Sequence, residues 1–85
     1  MPDKSATELY NDAQESIASN NMVNAIQVLE SIASRYPFGP HAQQVQFDLI
    51  YCYYNDRQIE ATVDAATTFE RENPTHPRVD YALYM

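Results

Sequence analysis

The side chains able to do covalent or metal chemistry in this sequence are few and badly placed for it. His41 follows Pro40 and His76 precedes Pro77, each at a helix entrance, where capping or a surface role is the ordinary use of an imidazole. Cys52 stands between Tyr51 and Tyr53 in a helical pattern and reads as a small buried filler. The acidic residues are spread along exposed faces, without the spacing that holds a metal ion. Gly39 is the single glycine, so no phosphate-cradling loop can form. The sequence predicts no enzyme, no cofactor and no metal.

What remains is recognition. Seven tyrosines offer apolar area with a polar tip. Gln44, Phe47, Tyr51 and Tyr54 recur at i, i+3, i+7 and i+10, which is one face of a helix. Val45, Leu49, Ile50 and Tyr53 make the opposite stripe. Spacing alone leaves both readings open, rings as core or rings as binding surface.

The elements that must position these residues are set by proline. Tyr36-Pro37-Phe38-Gly39-Pro40 recurs thirty-seven residues later as Asn73-Pro74-Thr75-His76-Pro77, with both prolines in register. The first proline of each block stops a helix and the second suits the first turn of the next. Ser5-Ala6-Thr7-Glu8 has capping-box spacing and starts a helix near residue 6. Ser19-Asn20-Asn21 ends it. A second helix is expected over about Met22–Arg35, with Ala25, Ile26, Leu29, Ile32 and Ala33 on one face. A third runs from Pro40 to about Tyr54. Asn55-Asp56-Arg57 follows as a weaker turn, Arg57 replacing Asn20 in register. A fourth spans about Gln58–Glu72 with Ile59, Val63, Ala66 and Phe69 inward, and a fifth begins at Pro77. Phe38 reads as a staple on the neighbouring helices. Leu29, Ile32, Leu49, Ile50, Tyr53 and Phe69 are expected between helices.

Composition narrows the partners. A net charge of −7 with five basic residues disfavours nucleic acid and anionic lipid, both of which need a basic patch. One cysteine allows no intramolecular disulfide. No stretch is apolar for long enough to cross a bilayer or act as a signal sequence.

The helix–turn–helix unit carrying Ala25, Leu29, Ile32 and Pro37 resembles the tetratricopeptide repeat. A second unit keeps Leu49, Ile50, Tyr53, Phe69 and Pro74, has Thr62 where alanine is usual, and has a period of 37 in place of the common 34. The expected fold is an all-α solenoid. Its repeats would cover about 6–37 and 40–74, with a partial third over 77–85. In such arrays the first helix of each pair lines the concave side. That frame assigns a peptide-binding face to Tyr10, Gln14 and Ile17, then Gln44, Phe47, Tyr51, Tyr54 and Asn55, then Tyr81 and Tyr84.

A narrower resemblance rests on Arg35-Tyr36-Pro37-Phe38-Gly39-Pro40, Gln43-Gln44-Val45-Gln46, Asp48-Leu49-Ile50-Tyr51 and Tyr53-Tyr54, with Asn73-Pro74-Thr75-His76-Pro77, Asp80-Tyr81 and Tyr84-Met85. These blocks resemble the amino-terminal part of the BamD family of outer-membrane assembly lipoproteins. The resemblance implies a periplasmic role in inserting barrel proteins, with unfolded barrel precursors, BamA and BamC as partners. It also implies membrane attachment through a lipidated cysteine. Neither that lipobox nor the later repeats occur in these residues.

Two rival readings stand beside it. A general adaptor clamping a C-terminal carboxylate needs clustered basic residues on the concave helices. Lys4, Arg35, Arg57, Arg71 and Arg78 are scattered instead. A purely structural module would bind no peptide at all. Because the third repeat is partial, self-association through its uncovered end is a further expectation.

Overall fold

The computed structural model describes residues 4–73. Four helices follow one another, α1 (Ala6–Ala18), α2 (Met22–Arg35), α3 (Ala42–Asn55) and α4 (Ile59–Glu72), and no strand occurs among the described residues. Each helix packs on the next, α1 on α2, α2 on α3 and α3 on α4. The expected fifth helix lies outside the described residues.

Local chemistry sets the boundaries. Ser5 accepts the Glu8 amide while the Glu8 carboxylate accepts the Ser5 amide, a complete capping box. Between α1 and α2 the Asn21 amide donates to the Ser16 carbonyl at 2.7 Å and the Asn20 amide to Ile17 at 3.0 Å. Asn20 takes a left-handed φ of 59°. That combination is a Schellman closure, and it satisfies two carbonyls that the helix end leaves open. The next turn repeats it, with the Gln58 amide on Tyr53 and the Arg57 amide on Tyr54. The backbone closure around Arg57 thus matches that of its predecessor. What it lacks is the side-chain cap. Asn21 accepts the Asn24 amide, whereas Gln58 caps nothing with its side chain.

The proline break departs from expectation. The Gly39 amide donates to the Tyr36 carbonyl and the Ala42 amide to that of Gly39. These are two successive turns, with Pro37 and then Pro40 at the second position, where a fixed φ suits them. Pro40 thus precedes α3 and is not in its first turn. Phe38, at the tip of the first turn, is 99% exposed and staples nothing.

The core has two parts. Ala13, Met22, Ala25, Ile26, Leu29 and Ile32 pack with Val45, Leu49 and Cys52, and Phe47, Ile50, Ala66 and Phe69 form the second cluster. Of the residues expected between helices, Tyr53 is the exception, being half-buried. Ala33 is exposed. Ile59 and Val63 are 62% and 58% exposed, not inward. The reason is positional. They stand thirty-seven residues after Met22 and Ile26, which are buried in the first cluster alongside α3 residues. No described helix occupies the equivalent place on α4.

Candidate functional site

The described residues among those that sequence placed on one face come from α1 and α3, which meet across the repeat junction. Three contacts join them. The Gln14 side-chain amide donates to Asp48 at 2.8 Å. Thr7 Oγ1 and His41 Nε2 are 3.2 Å apart. The Tyr10 and His41 rings stack with centroids at 4.5 Å and planes at 5°. The histidine thus holds a seam together and caps nothing with its side chain.

Asp48 is the residue that sequence reading missed, having been counted with the exposed acids. Its carboxylate is buried and accepts from Gln44 at 2.9 Å as well as from Gln14. A buried carboxylate is tolerable only with such partners. The arrangement fixes two glutamine amides, one from each helix, at the centre of the α1/α3 face. One sequence signal existed: Gln44 and Asp48 stand at i and i+4, where amide and carboxylate meet on a helix.

Around this centre Tyr51 and Tyr54 are open, 37% and 47% exposed. The Asn55 side-chain amide donates to the Tyr51 carbonyl at the end of α3. Ile17 and Tyr10 are half-buried against the first core cluster. Phe47 is not on the face. Its ring meets Phe69 edge-on at 6.1 Å within the second cluster, so it belongs to the packing of α3 on α4. Its i+3 spacing from Gln44 put it near the stripe, but α4 covers that side. Tyr81 and Tyr84 lie outside the described residues.

The α3/α4 junction has its own polar clasp. Asn73, buried at the end of α4, accepts from Gln43 at 2.6 Å and donates to Gln46 at 3.0 Å. Thirty-seven residues earlier, Tyr36 closes α2 and its hydroxyl donates to the Lys4 carbonyl. In each unit the residue before the first proline ties the second helix back toward the start of the first.

Burial, with a smaller contribution from the Asp48 charge, pushes the Cys52 thiol up to about 11, which leaves it protonated and unreactive at neutral pH. Among the described residues no group of three His, Cys, Asp or Glu side chains is placed to hold a metal. No described helix is long and apolar enough to cross a membrane. The face offers amides, hydroxyls and aromatic edges.

Comparison with known proteins agrees with this architecture. The chain is 42% identical over 85 residues to "Outer membrane protein assembly factor BamD" of Vibrio cholerae serotype O1, covering 100% of this chain and 35% of that protein. It is 41% identical over 83 residues to the protein of that name from Neisseria meningitidis serogroup B, covering 98% of this chain and 31% of that one. For Pasteurella multocida the identity is 33% over 78 residues, covering 92% and 30%. The chain therefore spans about a third of the length of the curated relatives it matches. The family description "Tetratricopeptide repeat" matches residues 1–85. With the match running the whole length and the turns recurring at one period, the chain belongs to the tetratricopeptide-repeat family.

Proposed function

We propose that this chain is a non-catalytic part of the machinery that assembles proteins into the outer membrane, and that its α1/α3 face holds extended polypeptide. The setting is supported by the similar proteins, which are named for outer membrane protein assembly. The binding role rests on one observation. Tyr51 and Tyr54 are left open beside two glutamine amides that a buried Asp48 holds in place.

An extended segment presents unpaired backbone N–H and C=O groups and alternating side chains. Fixed amides and tyrosine hydroxyls can meet the first, and the aromatic rings the second. Pre-ordering these groups lowers the entropy lost on binding. The proposed face comprises Tyr10, Gln14, Ile17, Gln44, Tyr51 and Tyr54. Its ligands are unfolded outer-membrane precursors, with BamA and BamC as protein partners. The place of action is the periplasmic side of the outer membrane, reached through a lipid anchor outside these residues.

Pull-down with BamC and with the C-terminal peptide of a barrel protein tests this reading. Both are captured if it holds. A folded chain that retains neither contradicts it.

A further inference from the structure

The opposite side of the array is built from other material. Between α2 and α4 lies an open groove of about 430 Å³. Ala33 of α2 and Ala61 and Ala65 of α4 line it, together with Leu49 and Tyr53 of α3. Every wall is therefore helix, with its backbone groups already bonded internally. The Gln46 side chain, which also lines it, is engaged with Glu72 and Asn73.

An extended peptide laid in such a groove would find few partners for its own N–H and C=O groups, and burying them unpaired is costly. A helix brings its hydrogen bonds with it. Alanine walls also let a helix axis come close, since they raise no ridge against it. The α1/α3 face, with its amides and hydroxyls, has the contrary character.

Charge adds a second requirement. Asp64 lines the groove from α4, and the Glu30 carboxylate on α2 accepts the hydroxyl of the groove residue Tyr53. Both acids are exposed, and no basic residue is among the described residues lining the groove. We propose that this groove docks a helix of a second protein, apolar along one stripe and carrying lysine or arginine beside it, in the helix-in-groove mode. This site is independent of the polypeptide-binding face.

The test is an NMR titration of the full chain with two synthetic helices of about four turns. Both carry leucines at i, i+3, i+4 and i+7, one flanked by lysines and its twin by glutamates. The lysine peptide perturbs the amides of Ala33, Leu49, Tyr53 and Ala65. Its Kd rises about tenfold or more in Asp64→Lys, and likewise in Ala33→Phe, which fills the groove from an exposed position. The glutamate peptide shows the reverse order, preferring Asp64→Lys to the parent. A variant lacking the Tyr51 and Tyr54 rings binds the lysine peptide as the parent does, so a failure here is distinguishable from a failure of the polypeptide-binding face. Equal binding of both peptides by the parent, or perturbation centred on Tyr51 and Tyr54, overturns the proposal.

Discussion

Arg57 turns the chain at φ 62°, the left-handed conformation that Asn20 takes at φ 59° thirty-seven residues earlier. A side chain with a Cβ costs about 1–2 kcal/mol in that region, and asparagine enters it more readily than arginine, so the second turn is the more strained of the two. Arg57→Gly removes that strain, offset in part by about 0.4–1 kcal/mol of extra freedom in the unfolded chain. The expected result is a net gain of about 0.5–1 kcal/mol in urea denaturation. Asn20→Gly, the control, gains less.

That pair also shows what a single sequence reveals. The limits of α2, Met22–Arg35, follow from asparagine and proline signals that act within a few residues. The same holds for the capping box at Ser5 and the apolar stripe of α2. Phe38, Ile59 and Val63 were misjudged because their apolarity says nothing about which element covers them. Asp48 was missed because the residue that justifies burying it, Gln14, comes from a helix thirty-four residues away. Phe47 and Tyr51 share a stripe in sequence, and only the position of α4 separates them into core and surface.

Core truncation probes both clusters. Leu29→Ala costs about 2–5 kcal/mol, and Phe69→Ala and Phe47→Ala about 3–5 each. Losses of that size are comparable to the whole stability of a domain this small. Thermal melts by circular dichroism check them. A Phe47→Ala variant melting with the parent would return that ring to the binding face.

Asp48→Ala leaves the two glutamine amides without their charged acceptor. Hydrogen bonds to a charged group contribute about 1.5–3 kcal/mol each, so the variant is less stable by about 2–4 kcal/mol, water recovering part of the loss at these half-buried amides. Denaturant midpoints measure it. A further readout is the Gln14 and Gln44 side-chain amide resonances, which move together if Asp48 joins them.

Alkaline pH probes Cys52. Its pKa is raised from 9.0 to about 11 by burial, so folding holds the proton more tightly than the unfolded chain does. The associated stability is fully present below pH 9 and is lost as pH rises toward 11. Tyr53, raised by its own burial and then by its bond to Glu30, acts in the same direction at higher pH. The expected melting curve declines above pH 9, and Cys52→Ala flattens the early part of that decline. Thiol alkylation at neutral pH should track unfolding rather than proceed on the native chain.

If the open tyrosines of the α1/α3 face hold unfolded polypeptide, removing their rings weakens its capture. Fluorescence anisotropy with a labelled, unfolded barrel precursor compares the parent with a Tyr51→Ala, Tyr54→Ala double variant whose helicity is first shown to be intact. Each lost aromatic anchor removes about 1–2 kcal/mol, so the predicted Kd rises by roughly a hundredfold within a wide margin. Unchanged affinity in the folded double variant would move the binding surface away from this face.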